Sequence, residues 1–396
     1  MPLRQIPPTA TPLRLEEWRQ GLGASSAALP DFTAALAAYL GSPHLFLAAS
    51  GRTALYLLFT ALRDLPALRG RSQVVLPAYT CPAVAKVALD AGLAVRLVDV
   101  DPCTHGFVAG GLEHAVEERT LAVVCVHPFG MPQPVDEALA AARRAGAVVI
   151  EDAAQSLGAR AAGRPVGVQG DFGLFSFGPG KPLSTGGGGL VCTADPDYAA
   201  ALAAAWQRLA APGKAAAGWA LFRLGLLSLA FHPAGWGLAT KAGAQKVGES
   251  EAAWGYALRG LSSTQAAVGT RLLARLDEIN ARRRTNALAW RARLQDAPGL
   301  ILPPVAEGAI FLRFPLVLSG EDGSGPADRL QRRLAQAGIG AGRMYRRTLA
   351  EIFPALGGGA YPGAERMARG LLTLPTNHYV RPEDIDRGAA LILSGV

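Results

Sequence analysis

Cysteine and charge are both scarce in this chain of 396 residues. Its four cysteines form no C-x-x-C pair, which argues against a disulfide-stapled secreted domain and against a cysteine zinc site. Charged residues make up 18% of the chain and hydrophobic residues 50%, so the composition excludes a disordered protein and allows a large buried core. Cys125 and Cys192 lie in apolar runs typical of buried strands. We therefore expect reduced thiols and a cytoplasmic protein.

Long hydrophobic segments are also missing. The most apolar stretch, residues 215–244, is interrupted by Arg223, His232 and Pro233. No uninterrupted part of it reaches the roughly 18–20 apolar residues that a membrane span needs. Residues 1–8 lack the apolar centre of a signal peptide. We interpret residues 215–244 as an inserted pair of buried or interface helices, and a membrane-surface patch is the less favoured alternative.

Three common ligand motifs are absent. Lys181 follows Gly180, but the phosphate-loop pattern G-x-x-x-x-G-K-[ST] fails because Pro182 follows the lysine and Phe175 replaces the first glycine. No G-x-G-x-x-G follows the first predicted strand, and no H-E-x-x-H occurs, so we predict neither a dinucleotide site nor a metal site. The net charge of +8 comes from scattered arginines, which suits an anionic substrate better than a nucleic acid.

Apolar runs alternate with helical segments in the first part of the chain. This alternation predicts an α/β fold with a mostly parallel sheet flanked by helices, and ligands bind such sheets at the carboxyl ends of the strands. The predicted strands cover residues 45–48, 74–76, 95–98, 121–126, 148–150, 172–177 and 189–193. Predicted helices between them cover residues 53–62, 83–91 and 135–145.

A different pattern begins near residue 254. A long amphipathic helix over residues 262–294 precedes a predicted strand at 311–318 and helices at 327–337 and 382–392. We therefore predict two domains, a large one over residues 1–253 and a smaller α+β one over residues 254–396.

One lysine and one carboxylate follow predicted strands of the same sheet. Asp152 comes just after a β-branched run, and Lys181 lies in a loop rich in glycine and proline. Taken alone, Asp152 fits a helix N-cap and Lys181 a surface lysine. Together they are the two groups that pyridoxal phosphate requires: an amine that forms a Schiff base with its aldehyde, and a carboxylate that keeps its pyridine nitrogen protonated. We predict this cofactor, with Lys181 and Asp152 as the catalytic pair.

Short motifs over most of the chain resemble those of the DegT/DnrJ/EryC1/StrS family of sugar aminotransferases, which are fold-type-I pyridoxal phosphate enzymes. In chain order they cover residues 49–55, 76–81, 98–101, 126–130, 151–158, 170–189, 255–267 and 338–376.

The resemblance implies a role for each matching residue. Lys181 would hold the cofactor and shuttle a proton, and Asp152 would pair with the pyridinium nitrogen. Gln155 would contact the region of the phenolic oxygen. The phosphate would be bound by Ser176 and by the start of a helix, which offers unpaired amides. The residues implied at that helix start are Gly51, Arg52 and Thr53.

Three positions depart from the family pattern. Arg52 replaces a usual threonine and would add a charged contact to the phosphate. Cys81 occupies the place of an aromatic that often stacks on the cofactor ring, which leaves Tyr79 as a candidate for that contact. Ala257 replaces an asparagine that usually reaches the phosphate in the partner subunit, which leaves Arg259 as the candidate for a related contact.

The resemblance further implies a homodimeric cytoplasmic transaminase. It would move an amino group from glutamate to a nucleotide-linked keto sugar in polysaccharide or glycoconjugate biosynthesis. Three alternatives stay open: a dehydratase or lyase with the same fold, a non-catalytic regulator that binds pyridoxal phosphate, and a membrane-associated enzyme that acts on a lipid-linked sugar.

Overall fold

The computed structural model of the chain describes residues 4–241, 255–319 and 325–395. Its strands are β1 (His44–Ala48), β2 (Gln73–Pro77), β3 (Ala94–Val98), β4 (Thr120–Val126), β5 (Val148–Asp152), β6 (Arg160–Ala161), β7 (Arg164–Pro165), β8 (Phe172–Ser176), β9 (Gly189–Thr193), β10 (Leu300–Ile301), β11 (Arg313–Leu318) and β12 (Leu371–Pro375). Its α-helices are α1 (Leu15–Leu22), α2 (Ala28–Leu40), α3 (Gly51–Asp64), α4 (Pro82–Asp90), α5 (Asp136–Ala145), α6 (Pro196–Trp206), α7 (Lys214–Ala230), α8 (Pro233–Lys241), α9 (Ser263–Leu273), α10 (Leu276–Leu294), α11 (Gly325–Gln336), α12 (Leu349–Ile352), α13 (Pro362–Gly370) and α14 (Pro382–Leu393).

A seven-stranded sheet with the order β1-β9-β8-β5-β4-β2-β3 forms the centre of the molecule. The pairs from β8 to β3 are parallel, and β9 runs antiparallel to both of its neighbours. Every residue of β2, β5 and β9 is buried, as expected for apolar strands covered on both faces. The predicted α/β fold with a mostly parallel sheet is confirmed.

The register of the central strands places three strand ends side by side. Asp152, at the end of β5, pairs with Val126 of β4 on one side and with Leu174 of β8 on the other. Ser176 ends β8, two residues beyond Leu174. Because these strands are parallel, the residues that follow them share one edge of the sheet, where a ligand site is expected.

A second, three-stranded antiparallel sheet has the order β10-β11-β12. Trp290 of α10 is fully buried and donates a hydrogen bond from Nε1 to the carbonyl of Pro375 in β12 (2.9 Å). Side chains of both sheets belong to one continuous apolar core. The predicted domain boundary at residues 253/254 lies outside the described residues and stays a prediction.

The single long helix predicted over residues 262–294 is wrong. The structure has two helices, α9 and α10, which are interrupted between Leu273 and Leu276. Arg275 leaves the helical conformation there (φ −114°, ψ 6°) and forms an ion pair with Glu17 of α1 (3.0 Å). A tertiary contact at the break therefore overrides the helical pattern of the sequence.

Helices α7 and α8 form a bent apolar pair whose axes differ by 85°. Within the described ranges, no single helix is long and apolar enough to cross a membrane, although this bent pair passes that test by length and composition. One side of α7 packs inward through Leu221 and Leu224, whereas Trp219 is 63% exposed and Leu229 is 70% exposed. The inner face of α7 is thus buried as predicted, and an interface on its exposed face stays a prediction. Residues 242–244 of the predicted insertion lie outside the described residues.

Candidate active site

A cavity of about 380 Å³ opens at the carboxyl edge of the large sheet. Its wall contains residues that follow β2, β4, β5 and β8, together with the start of α3 and part of α7. Six of the nine residues predicted for the site line this cavity: Gly51, Arg52, Asp152, Gln155, Ser176 and Lys181. The other three, Thr53, Tyr79 and Arg259, are not part of its wall.

Asp152 is buried at the end of β5, with 5% of its surface exposed. Its Oδ1 accepts a hydrogen bond from the backbone N–H of Ala154 (3.0 Å). Burial raises the pKa of Asp152, while the nearby Lys181 and the Ala154 amide oppose that rise. The carboxylate therefore gains from a cationic partner inside the cavity.

Lys181 lies on the same cavity wall, in the loop between β8 and β9. Burial lowers the pKa of its amine, and the neighbouring Cys81 and Asp152 oppose that effect. A lower pKa increases the neutral fraction of the amine, which is the form that attacks an aldehyde. The backbone around Lys181 is fixed because Thr11 donates a hydrogen bond to its carbonyl (3.1 Å).

The start of α3 and the end of β8 meet at one end of the cavity. A Cβ on Gly51 would lie 3.3 Å from Cβ and 3.4 Å from Oγ of Ser176, so glycine keeps the space between the helix start and this hydroxyl open. Ser50 caps the helix, and its Oγ accepts the N–H of Thr53 (3.1 Å). The cap already uses the Thr53 amide, and a contact of that amide with phosphate stays a prediction. Gly51 and Arg52 occupy the first turn, whose amides have no partner within the helix.

Gln155 and His127 line the cavity beside Asp152. Gln155 is held by the backbone N–H of Phe129, which donates to Oε1 (3.1 Å). His127 was not among the predicted site residues. It is fully buried, and its backbone N–H donates to the carbonyl of Asp152 (3.0 Å). A signal was available, since His127 directly follows a predicted strand of the same sheet.

Glu151, the residue before Asp152, holds the imidazole of His127 in place. Its Oε2 contacts His127 Nε2 (2.9 Å), and the Gln133 amide donates to His127 Nδ1 (2.9 Å). The imidazole is therefore the tautomer with its proton on Nε2. Glu151 also accepts backbone N–H groups from Gly167, Gln169 and Gly170. Burial opposes ionisation of Glu151, but the His127 contact and these amides outweigh it and lower its pKa.

Tyr79 points away from the cavity. Its hydroxyl donates to the carbonyl of Tyr345 (3.0 Å), and the two rings meet edge-on with centroids 5.5 Å apart. Cys81 lines the cavity instead. Regular strand alternation would put Tyr79 and Cys81 on the same face, but the chain bends at residues 78–80, after β2, and Tyr79 packs into the core. The structure therefore does not support Tyr79 as a ring-stacking group.

Thr53 and Arg259 lie beside the cavity rather than on its wall. Thr53 is fully buried, and its hydroxyl donates to the carbonyl of Ala257 (3.0 Å). Arg259 is exposed, and its backbone carbonyl accepts the N–H of Ala49 (2.9 Å). A contact of the Arg259 side chain with phosphate stays a prediction.

The residues of the cavity fit pyridoxal phosphate by their chemistry. One amine, one buried carboxylate and the start of a helix beside a serine hydroxyl share one wall, and Gly51 leaves the space that a phosphate would need. Among the residues that the structure describes, no cluster of histidine, cysteine and carboxylate side chains could hold a metal ion.

A comparison with family models assigns residues 17–392 to the DegT/DnrJ/EryC1/StrS aminotransferase family. The chain belongs to this family. The predicted family is therefore confirmed, and the chain is a transaminase of a pyridoxal phosphate-dependent family. The predicted cofactor is confirmed with it.

Two characterised relatives illustrate the range of the family. The erythromycin biosynthesis sensory transduction protein EryC1 of Saccharopolyspora erythraea is 31% identical, over 92% of this chain and 89% of that protein. A UDP-N-acetyl-3-dehydro-α-D-glucosamine 3-aminotransferase of Acidithiobacillus ferrooxidans is 40% identical, over 37% of this chain and 39% of that protein. The second alignment covers well under half of either protein.

Among solved structures, the chain resembles DesI crystallised in the presence of its TDP-sugar product. The TM-score is 0.78 with 25% identity, and the match covers all of this chain and 93% of DesI.

Proposed function

We propose that this transaminase moves an amino group from glutamate to the keto group of a nucleotide-linked sugar. The observation that carries the proposal is that Lys181 and Asp152 line one cavity at the ends of neighbouring strands. The names of two similar proteins support a nucleotide-linked sugar as the acceptor, since one acts on a UDP-sugar and the other was crystallised with a TDP-sugar product. The basic balance of the chain suits such an anionic substrate.

Each residue has a distinct task in this proposal. Pyridoxal phosphate, when bound, supplies an aldehyde that condenses with amines and a ring that accepts the electron pair left by a departing proton. Asp152 keeps a proton on the ring nitrogen. Lys181 Nζ takes the proton from the α-carbon of the donor and delivers it to a neighbouring carbon, which its neutral form allows. Ser176 and the first turn of α3 bind the phosphate.

The catalytic role of Lys181 is tested by borohydride reduction. Reduction of the protein loaded with cofactor is expected to attach the cofactor permanently to the peptide that contains Lys181, as read by mass spectrometry. Lys181→Ala is expected to abolish this attachment and amino transfer, whereas Lys86→Ala, in the middle of α4, keeps both. Wild-type turnover by Lys181→Ala would refute the role.

The substrate is tested by supplying glutamate or glutamine with a panel of nucleotide-linked keto sugars and identifying the products. Appearance of an amino sugar supports the proposal. A deoxygenated sugar without nitrogen would instead favour the dehydratase alternative, and cofactor binding without any turnover would favour a regulator.

We also propose a cytoplasmic homodimer with the domain division at residues 253/254. The four cysteines are free thiols, which suits a reducing compartment. Sedimentation of the purified protein tests the dimer, since a single species at the monomer mass would contradict it.

A further inference from the structure

Two arginines line the active-site cavity without a partner. Arg52 lies in the first turn of α3, and Arg223 lies in the middle of α7. Among the described residues, neither guanidinium has a hydrogen bond or an ion pair. The cavity wall carries three basic side chains, Arg52, Lys181 and Arg223, against the single carboxylate of Asp152. The cavity therefore has an excess of positive charge.

Both arginines lie near the same loop, residues 186–188, and all of these residues line the cavity. Gly188 donates its N–H to the carbonyl of Ala49 (2.8 Å), which lies just before α3. Gly188 also forms an isolated β-bridge with Ser50. On the other side, Leu224 packs against Gly186: a Cβ there would lie 3.5 Å from Cβ of Leu224. The loop thus connects the helix start that carries Arg52 with the turn of α7 that carries Arg223. Lys181 and Asp152 interact with each other and lie outside this contact.

The sequence of α7 makes Arg223 an unusual residue for its surroundings. The helix contains no acidic residue, and Arg223 is its one charged side chain after Lys214. Trp219, Phe222 and Leu226 around it are exposed apolar residues. A solubilising role would place charges across that exposed face. Arg223 is itself exposed, but it lines the cavity and directly precedes Leu224, which touches the glycine loop. This position suits a ligand that enters the cavity.

We propose that Arg52 and Arg223 bind one phosphate group from two sides at the glycine-loop end of the cavity. Guanidinium groups suit this ligand because their fixed N–H donors match phosphate oxygens in pairs. The phosphate comes either from the cofactor or from the diphosphate of the nucleotide-linked sugar. This inference builds on the proposed function and adds a binding role for Arg223, a residue of the apolar insertion.

The test compares Arg52→Gln and Arg223→Gln with Arg271→Gln, an exposed arginine of α9 away from the cavity. In the first arm, cofactor-free protein is titrated with pyridoxal phosphate and with pyridoxal, which lacks the phosphate. In the second arm, UDP is titrated into each protein after cofactor loading. Both cavity variants are expected to weaken the same phosphate ligand by about tenfold, whereas pyridoxal binding and Arg271→Gln stay at the wild-type level. Loss of different ligands in the two variants would contradict a shared phosphate.

The pattern identifies the source of the phosphate. If only the affinity for pyridoxal phosphate falls, the two arginines bind the phosphate of the cofactor. If only the affinity for UDP falls, they bind a phosphate of the substrate. Arg223→Lys is expected to retain only part of the affinity because an ammonium cannot bind in the same paired manner. Unchanged affinity for both ligands, to within about twofold, in Arg223→Gln would overturn the proposal.

Failure of the proposed function gives a different result. In that case the wild-type protein and Arg271→Gln would themselves fail to attach pyridoxal phosphate to Lys181. Thermal melting of all variants shows whether a loss of binding reflects unfolding.

Discussion

The two acidic residues at the end of β5 lie in opposite environments. Glu151 is held by His127 and by three loop amides on one side of the strand. Asp152, the next residue, faces the cavity and accepts one hydrogen bond, from Ala154. The pKa of Glu151 is lowered, whereas the pKa of Asp152 is raised.

This contrast separates a structural carboxylate from one that is prepared for a ligand. Hydrogen bonds already satisfy Glu151, so further partners would add little. Asp152 is buried with acceptor capacity to spare, and burial without partners is unfavourable for a charge. A protonated ring nitrogen would supply the missing partner. The difference also predicts that substitutions of the two acids affect different properties.

Replacing Asp152 is expected to have the largest effect on activity. Asp152→Asn keeps the shape of the side chain but removes the charge that holds a proton on the cofactor ring. Amino transfer should fall by about 100-fold or more, the scale on which loss of one preorganised electrostatic group acts. The measurement is kcat with saturating donor and acceptor. A near wild-type kcat in Asp152→Asn would show that Asp152 has no catalytic role that separates it from Glu151.

Replacing Glu151 is expected to act mainly on stability. Glu151→Gln turns one acceptor oxygen into a donor that faces backbone N–H groups, which should lower the free energy of unfolding by about 3 kcal/mol. Urea denaturation measures this change. Glu118→Gln, at an exposed position, serves as the control and should differ from wild type by at most about 0.5 kcal/mol. Equal stability of both variants would contradict the structural role.

His127 touches both environments, and its replacement should have an intermediate effect. His127→Phe leaves the Gln133 amide without its partner and removes one of the two partners of Glu151 Oε2, which should lower the free energy of unfolding by about 2 kcal/mol. The effect on kcat should be smaller than that of Asp152→Asn, since His127 acts on Asp152 only through its position. A larger loss of kcat than in Asp152→Asn would show that the histidine has a direct catalytic role.

The smallest effect expected is an opposite pH dependence of the two acids in the cofactor-free protein. The folded pKa of Glu151 is lowered, so its stabilisation is present above the unfolded pKa and is lost as the pH falls. The folded pKa of Asp152 is raised, so its contribution is present at low pH and is lost as the pH rises. The free energy of unfolding of Glu151→Gln should therefore lie below that of wild type at neutral pH and approach it as the pH falls. That of Asp152→Asn should rise relative to wild type as the pH increases towards neutral. Urea denaturation at a series of pH values from acid to neutral measures both differences. The same pH dependence in the two variants would contradict the opposite pKa shifts.

Much of this edge of the sheet was predictable from sequence. The alternation of strands and helices placed Asp152 just after one predicted strand and Ser176 near the end of another, and the glycine-rich loop identified Lys181. The side chain orientation of Tyr79 was not predictable because it depends on where β2 ends and the next turn begins. The partners of Glu151 come from a loop 16 to 19 residues later, and local patterns contain no information on such contacts. Arg223 was noted only as an interruption of an apolar segment, since its place in the cavity depends on how α7 packs.

The close approach of Gly189 to the start of α3 has a consequence for protein engineering. A Cβ on Gly189 would lie 2.3 Å from the backbone nitrogen of Gly51, so even an alanine side chain would clash with the first turn of the helix. Gly218 on α7 has open space around it and tolerates a methyl group. Mutant libraries that seek a new substrate range would therefore do better to diversify the surface helix and to leave the glycine at 189 unchanged.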